Sequence, residues 1–409
     1  MDVIPIFNYV VLTILINAAL ASLAYGLFKI WKRIQVGKPF VDGEGEGCDL
    51  KSILKQVNWS AFLSRGALAS RLQKQPVSGT AHALVFFGSI VLIIGHALFP
   101  LSLIGVPVFD GTFGWLVMGL GREVAGVALF FGLMFFLIRR LVAPPERLTV
   151  GKTRQGFVAL ELYMAVILLA GYVAEGFRIG YDPAHHDAPK FVGLALGSFF
   201  NAQFGTVGSM EGFQIFWWIH GLLGVGFIAL IAHTPLSHIL LGPINSALAS
   251  RRSGVNLSPM NFNFDDDDDE DEDEEDELKL GASCLSDLNQ KNLLDFAACL
   301  WCGRCHDACP AAQTGKPLSP KTIMATCASY LEEGKADDDS LLAALGQQEI
   351  FDCVTCGACA EVCPVSNSPV ESILEFRRHY VMEQSEMPET MAAANRNLES
   401  REHPFVGTG

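Results

Sequence analysis

Five long apolar segments limit most strongly how this 409-residue chain can fold. They cover residues 3–28, 81–106, 120–138, 157–177 and 213–241. An α-helix needs about 20 consecutive apolar residues to cross a bilayer. The first, second and fifth segments contain no Asp, Glu, Lys or Arg, and the other two carry charges only at or near their ends. We therefore predict five transmembrane helices within a membrane domain of residues 1–250.

Lysine and arginine are distributed unevenly among the loops. Nine lie between residues 29 and 74, five between 139 and 154, and two at 251 and 252. The opposite loops contain little beyond Arg122, Arg178 and Lys190. Because positive loops stay in the cytoplasm, we predict a multi-pass protein of the cell inner membrane with its N-terminus outside. Residues 52–73 are predicted to form an amphipathic interfacial helix on the cytoplasmic face.

The net charge of −15 comes mainly from one acidic tract. Residues 265–277 are thirteen consecutive Asp and Glu residues, so the rest of the chain is close to neutral. Such a tract repels itself and stays solvated. We interpret residues 251–283 as a linker, and a docking tail for a basic partner is the alternative interpretation.

Histidines are concentrated in the second and fifth predicted spans. At 100° per residue, His82 and His96 share one helix face, and His220 and His238 share another. The two spans run antiparallel, which pairs His82 with His238 near the cytoplasm and His96 with His220 toward the outside. Facing imidazoles between helices can ligate haem b, whereas a single one is compatible with ordinary packing. His233 faces away from His220, but it is an alternative to His238 as a ligand.

Two cysteine runs have the same spacing, C-x2-C-x2-C-x3-C-P, which is typical of ferredoxins with two clusters. In this pattern three cysteines of a run bind one [4Fe–4S] cluster and the fourth binds the other. We define the first set as Cys299, Cys302, Cys305 and Cys363, and the second set as Cys353, Cys356, Cys359 and Cys309. Zinc is the alternative metal, but zinc sites do not require two runs of four cysteines followed by proline.

The remaining cysteines, Cys48, Cys284 and Cys327, are predicted to be packing or surface thiols. Helix start signals and a period of 3.6 residues predict helices in the region of the cysteine runs. They cover residues 286–298, 319–333, 338–351 and 368–384. The predicted fold is therefore all-α: a five-helix transmembrane bundle followed by a cytoplasmic α-helical ferredoxin domain at 284–390, with a tail at 391–409.

Three segments carry a resemblance to a known family: residues 81–96, 217–245 and 295–321. The chain resembles the membrane-bound, heterodisulfide-reductase-related iron–sulfur oxidoreductases, which include electron-transfer-flavoprotein:menaquinone oxidoreductases. Its N-terminal part is similar to the gamma subunit of respiratory nitrate reductase, a five-helix dihaem cytochrome b. The resemblance implies that the haem b ligands are His82, His238, His96 and His220.

The family usually continues into two cysteine-rich CCG domains, and this sequence departs from that pattern because no cysteine follows Cys363. Either the tail leads into such domains in a longer chain, or a separate subunit supplies that chemistry.

Taken together, these features predict electron transfer from a cytoplasmic donor to menaquinone through two [4Fe–4S] clusters and two b haems. The expected donor is an electron transfer flavoprotein or a heterodisulfide-reductase-like subunit, and the other partners are membrane lipid and quinone, with no nucleic acid. A membrane anchor without haem that presents a ferredoxin module to soluble redox subunits is the main alternative. A transporter gated by cluster redox state is disfavoured because the first three spans contain almost no polar residues.

Charged residues near the outer ends of the third and fourth spans suggest a place for quinone. They are Arg122, Glu123, Glu175 and Arg178. Ordinary anchoring at the membrane interface is the alternative explanation of these charges.

Overall fold

The computed structural model describes residues 4–39, 57–151, 156–249 and 279–405. In this part of the chain helices predominate, and the β-pairing is an isolated bridge between Lys38 and Asn289. The all-α prediction is therefore confirmed. The acidic tract at 265–277 and Cys48 lie outside the described residues.

The structure contains five helices that are long and apolar enough to cross a membrane. They are α1 (Ile6–Ile34), α2 (Pro76–Leu103), α3 (Arg122–Val142), α4 (Phe157–Tyr181) and α5 (Phe191–Leu230). A π-helical segment, Gly114–Gly121, leads directly into α3. Helix α5 has a kink at Gly205, whose φ of 67° only glycine adopts readily. The number of predicted spans is confirmed.

The fifth span differs from its prediction at both ends. It was expected at 213–241, but α5 begins at Phe191 and ends at Leu230. Thr234 is extended, as residues before proline usually are, and Pro235 has no N–H to continue the ladder. A separate helix, α6, covers His238–Ala247. The assignment of His220 and His238 to one face of one helix is therefore wrong, because the helix ends between them.

The remaining helices are shorter. The longer ones among them are α7 (Gln290–Ala298), α8 (Pro320–Glu333), α9 (Pro369–Arg378) and α10 (Glu389–Arg401). The other helical segments of the described residues are single turns or short helices. They are Trp59–Ala61, Phe62–Ala67, Ser70–Gln73, Gly111–Phe113, Glu146–Thr149, His185–Asp187, Ile231–His233, Pro235–Ser237, Arg304–Asp307, Pro310–Gln313, Ser340–Leu345, Gln347–Phe351, Ala358–Val362 and His379–Glu383.

Two predicted helices are interrupted at residues with positive φ. The helix expected at 338–351 is divided at Gly346, where φ is 85°. The interfacial helix expected at 52–73 is interrupted before Ser70, because Ala69 adopts a φ of 48°. Residues 52–56 of that prediction lie outside the described residues. By contrast, the helix predicted at 319–333 matches α8, which Ser319 caps by accepting the Thr322 N–H.

The chain divides into two compact units. The first unit comprises the described residues of 1–28, 69–145 and 154–237, and the second those of 29–68, 146–153 and 238–409. In the first unit, glycines allow α2 and α3 to pack closely: a Cβ at Gly88 would lie 2.8 Å from the carbonyl oxygen of Ala125. The second unit therefore includes α6 and the segment between α3 and α4.

The second unit has its own hydrophobic core. Residues of α7, α8 and α9 meet there, with Phe296, Ile323 and Phe376 almost fully buried. Cys327 belongs to this core and Cys284 is also buried, as expected for packing thiols. This core positions the two cysteine runs.

Candidate metal centres

The two cysteine runs repeat the same backbone conformation. The residue before the second cysteine has positive φ in both: 54° at Trp301 and 56° at Thr355. The glycine after that cysteine is also left-handed, with φ of 75° at Gly303 and 73° at Gly357. Positive φ is uncommon for Trp and Thr, and such turns direct successive N–H groups toward a common point. Both loops are thus shaped to surround an anionic group.

The fourth cysteine of each run leaves its loop in the same way. Cys309 has φ and ψ of −78° and 119°, and Cys363 has −70° and 120°. Each is extended and precedes a proline, which prevents the short helix before it from continuing. This change of direction brings each fourth cysteine to the other run.

The first set of cysteines is gathered around Cys305. Burial raises the pKa of the Cys305 thiol well above its usual value, and its neighbours Cys302, Cys299, Cys363 and Cys359 raise it further. Three of these four neighbours are the partners predicted from the spacing. Such thiols lose their protons only when a cation compensates their charge.

The second set is gathered in the same way. Burial raises the pKa of Cys359 to about 12, with contributions from Cys353, Cys356 and Cys309. The structure thus groups the fourth cysteine of the first run with the second run. That these two sets hold clusters stays a prediction.

The thiols are not arranged around a single ion. Among the described residues, no group of three or more His, Cys, Asp or Glu side chains is placed to hold one metal ion. In a cubane cluster each thiolate binds its own iron atom, so the sulfurs stand farther apart than in a zinc site. A small cavity lies against the first set, and Lys321 and Met324 also line it. The residues present therefore fit a multi-iron cluster better than a mononuclear site.

Basic side chains that the sequence analysis did not identify hold the two runs. Arg377 donates from Nη2 to the carbonyl oxygens of Ile350 (2.7 Å) and Cys353 (2.8 Å). Lys321, almost fully buried, lies beside the first set. A Lys and an Arg at helical positions look like surface residues in the sequence, and only the fold shows that Lys321 is buried and that Arg377 is half-buried against the second run.

In the first unit, His96 and His220 face each other. Their Nε2 atoms are 3.3 Å apart and their ring centroids 5.5 Å apart. The Nδ1 atom of His96 lies 2.7 Å from the carbonyl oxygen of Leu92, and that of His220 lies 3.0 Å from the carbonyl oxygen of Ile167. The structure brings this predicted pair together.

The hydrogen bonds of this pair fix the tautomer of both rings. A carbonyl oxygen only accepts, so Nδ1 carries the proton on both rings, and each neutral imidazole has just one N–H. Both Nε2 atoms of His96 and His220 are then lone pairs directed at each other. Metal–imidazole bonds are about 2.0 Å long, so the rings would separate by less than about 1 Å to bind one metal. A Cβ at Gly171 would lie 2.9 Å from the His220 ring, so only glycine leaves room there.

The other histidines have separate positions. His233 approaches α1, with Nε2 3.3 Å from the Ser22 carbonyl oxygen. His82 stacks on Phe86 within α2, with centroids 6.1 Å apart. His238 is the first residue of α6. His82 belongs to the first unit and His238 to the second, so their pairing stays a prediction.

Of the four charged residues suggested for quinone, Glu175 and Arg178 belong to an ionic network, and Glu123 is buried against the start of α5. Glu123 Oε1 accepts the N–H groups of Val192 (2.5 Å) and Gly193 (3.2 Å) at the start of α5, which a carboxylate stabilises. Lys190 pairs with Glu175 (2.5 Å), and Arg178 pairs with the buried Asp187. These contacts give Glu123, Glu175 and Arg178 partners within the protein, and both quinone binding and interfacial anchoring stay predictions.

The network includes residues that the sequence analysis missed. Burial would raise the pKa of Asp187, but Arg178, Lys190 and the Ala184 N–H outweigh it and lower the pKa to about 2. Arg122 Nε and Glu123 Oε2 are buried and have no hydrogen-bond partner among the described residues. Unpaired buried polar atoms of this kind leave capacity to bind a polar ligand.

Comparison with known proteins supports iron–sulfur clusters in the region of the cysteine runs. Residues 295–367 match the family model of the 4Fe-4S dicluster domain. The second unit carries an iron–sulfur domain. The sequence is similar to the EtfAB:quinone oxidoreductase of Syntrophomonas wolfei, 29% identical over 93% of this chain and 56% of that protein.

Two further curated relatives are similar to most of this chain. The probable iron-sulfur-binding oxidoreductase FadF of Bacillus subtilis is 24% identical over 82% of this chain and 51% of its own. The probable membrane-anchored ferredoxin of Chromohalobacter salexigens is 25% identical over 73% of this chain and 44% of its own. The chain thus spans about half the length of these curated relatives. No solved structure matches it. The predicted resemblance to iron–sulfur oxidoreductases is confirmed, and haem and quinone binding stay predictions.

Proposed function

We propose that this chain carries electrons between a soluble donor and membrane quinone, using [4Fe–4S] clusters in the iron–sulfur unit and b haems in the helical bundle. The main support is the combination, in one chain, of a 4Fe-4S dicluster domain and five membrane-length helices with two facing imidazoles. The clusters and haems supply one-electron chemistry. The chain's own residues hold them, exclude water and set their surroundings.

Two [4Fe–4S] clusters are proposed, one at each cysteine set. Both loops direct N–H groups inward and place four cysteines near one another, as described above. An additional N–H, that of Asn367, donates to Cys363 Sγ at 3.3 Å. Hydrogen bonds to ligand sulfur stabilise the more negative, reduced state of such a cluster.

Two b haems are proposed in the membrane part. His96 and His220 are the ligands of the outer haem, and the directed Nε2 lone pairs support this choice. His82 and His238 are the ligands predicted for the inner haem by resemblance. His233 is less suited because it already contacts the backbone of α1.

Menaquinone is proposed as the membrane substrate, bound near the outer haem by some of Arg122, Glu123, Glu175 and Arg178. A Cβ at Gly95, next to His96, would lie 2.6 Å from Arg122 Cδ, so the guanidinium is close to the proposed haem ligand. The unpaired polar atoms of Arg122 and Glu123 support a site for a polar quinone oxygen.

The proposed donor is an electron transfer flavoprotein in the cytoplasm. The name of the Syntrophomonas relative supports this donor, and the distribution of Lys and Arg supports a cytoplasmic iron–sulfur unit at the inner membrane. A heterodisulfide-reductase-like subunit is the other donor that the resemblance suggests.

A membrane anchor without haem is the second candidate, because one relative is named a probable membrane-anchored ferredoxin. The reduced-minus-oxidised absorbance spectrum of the purified protein separates the two. Sharp b-type bands support the proposed function. Broad iron–sulfur bleaching without haem bands would leave the anchor as the function.

A further inference from the structure

Three lysine side chains are buried among the described residues, and one of them has no carboxylate partner there. Lys190 pairs with Glu175 at 2.5 Å, and Lys291 pairs with Asp295 at 2.5 Å. Lys321 is 1% exposed, and its hydrogen bonds within the described part of the chain all go to carbonyl oxygens. A buried charge is costly unless an opposite charge compensates it. Lys321 therefore requires an anion that is not a carboxylate of the described residues.

The hydrogen bonds of Lys321 show that its amine is charged. Nζ donates to the carbonyl oxygens of Arg147 (3.0 Å), Leu148 (3.1 Å) and Val150 (2.6 Å). A carbonyl oxygen only accepts, and a neutral amine has two N–H groups, so three such bonds require the ammonium form. The acceptors belong to neutral peptide groups, which leave the positive charge without a counter-ion.

The first cysteine set lies next to this ammonium group. Lys321 lines the same small cavity as the cysteines of the first set. Burial lowers the pKa of Lys321, and Cys305, Cys302 and Cys299 oppose this effect by raising it. Arg304 also lines the cavity, but it is half-buried, so water screens its charge more strongly. Lys321 is thus the buried positive charge of the first set.

The second cysteine set has a cation in a similar position. Arg377 is half-buried, and its Nη2 donates to the carbonyl oxygens of Ile350 and Cys353. Its guanidinium carbon lies 5.4 Å from the centroid of the Phe351 ring. Burial lowers the pKa of Arg377, and Cys353 opposes this effect by raising it. Each set therefore has one basic side chain whose hydrogen bonds go to neutral carbonyl groups.

We propose that Lys321 and Arg377 are the dedicated counter-cations of the two clusters: Lys321 raises the reduction potential of the cluster at the first set, and Arg377 raises that of the cluster at the second set. This inference rests on the proposed clusters and gives a role to two residues that bind no iron. Thiolate ligands make such a cluster negatively charged, and reduction adds one electron. A nearby positive charge therefore stabilises the reduced state more than the oxidised state. No proton is exchanged, because both side chains already carry their charge.

A redox titration of the purified full chain tests the role of Lys321. Dithionite is the reductant, and the EPR signals of the reduced clusters are the readout. The midpoint potential that is lost in Cys302→Ser belongs to the first set, and the one lost in Cys356→Ser belongs to the second. Lys321→Gln removes the charge and keeps N–H donors. We expect it to make reduction at the first set about tenfold less favourable, which lowers that midpoint by about 59 mV, and to leave the second midpoint unchanged.

Arg377→Gln is the reciprocal variant and the matched control. It should lower the midpoint of the second set and leave that of the first unchanged. The shift should be smaller than in Lys321→Gln, because Arg377 is half-buried and its charge is better screened. Lys321→Arg and Arg377→Lys keep the charges and should retain both wild-type midpoints.

The outcomes separate the charge of Lys321 from its support of the local structure. An unchanged first midpoint in Lys321→Gln, an equal shift of both midpoints, or the same shift in Lys321→Arg would overturn the inference. A first cluster that assembles in Lys321→Arg but not in Lys321→Gln would support the charge, and one that assembles in neither would overturn it. Wild-type protein without reducible iron–sulfur signals would instead contradict the proposed clusters.

Discussion

The cysteine sets and the histidine pair are two metal-ligand sites built in different ways. Each cysteine run places its ligands two or three residues apart on one loop, with left-handed residues at equivalent positions, Trp301 and Thr355. His96 and His220 lie 124 residues apart and meet only because their helices pack together. The comparison shows that ligands held by a local loop follow from spacing, whereas ligands held by packed helices depend on where each helix begins and ends.

The largest effect is expected when the fourth cysteine of a run is changed. Cys363→Ser should remove the EPR signal of the first set, although Cys363 lies in the second run, because the structure places it beside Cys302 and Cys305. Cys309→Ser should remove the other signal. Cys284→Ser, at a buried cysteine outside both runs, is the control and should retain both. If Cys363→Ser removed the signal of the second set and Cys309→Ser that of the first, each fourth cysteine would bind the cluster of its own run, and the assignment would be wrong.

Both histidines of the facing pair should be required for binding of the same haem. His96→Ala and His220→Ala should each abolish the same haem absorbance, because either change leaves one axial ligand. His233→Ala should retain the full spectrum, since that ring contacts the backbone at Ser22. Haem content by pyridine haemochrome, together with the low-spin EPR signal, measures this. Loss of haem in His233→Ala but not in His238→Ala would move the inner ligand to position 233.

A smaller effect is expected from Lys321, which tests whether local loops alone hold the cysteine sets. Lys321→Met should lower the unfolding free energy of the iron–sulfur unit by roughly 3 kcal/mol or more, because the carbonyl oxygens of Arg147, Leu148 and Val150 lose their donor. Each buried acceptor that is left without a donor costs at least about 1 kcal/mol. Thermal unfolding monitored by the iron–sulfur absorbance measures the change. Lys316→Met is the control, because the Lys316 side chain is half-exposed and pairs with the single acceptor Asp352 among the described residues. Equal effects in both variants would show that the contact with 147–150 does not support the unit.

The smallest effect concerns pH. Burial would raise the pKa of Asp287, but the Ser283 N–H, Lys279 and Cys284 outweigh it and lower the pKa from 3.8 to about 2. A lowered native pKa stabilises the fold above pH 4, and this contribution, about 2 kcal/mol, disappears between pH 4 and 2. Asp287→Asn should therefore lower stability at neutral pH and flatten the acid limb of the pH profile. Urea unfolding between pH 4 and 2 measures this. If the unfolding free energy of Asp287→Asn changed with pH as that of the wild type does, Asp287 would not have this role.

The sequence predicted the parts of the fold that local chemistry determines. Runs of apolar residues predicted five membrane helices, and Ser319 followed by Pro320 predicted the start of α8. It failed where one residue changes the chain direction. Pro235 separates His238 from α5, and Gly346 and Ala69 divide two other predicted helices.

The sequence also did not predict which polar side chains are buried by tertiary packing. The charges at Glu123 and Glu175 were visible, but their partners Val192 and Lys190 come from the start of α5, which was not predicted to be helical. Lys321 and Asn245 had no local signal in the sequence. Both are buried and hydrogen-bonded, Lys321 to the Val150 carbonyl oxygen and Asn245 to Asp295, and burial depends on how the whole unit packs.

The central claim is that one chain carries electrons from a soluble donor to the membrane cofactors. Rapid mixing of the purified protein with reduced electron transfer flavoprotein, monitored at the b-haem bands, tests it directly. Haem reduction should follow cluster reduction in the wild type and disappear in Cys302→Ser, while a menaquinone analogue reoxidises the haem in the wild type. Haem reduction at the wild-type rate in Cys302→Ser would contradict the account, because electrons would then reach the haem without passing through both clusters.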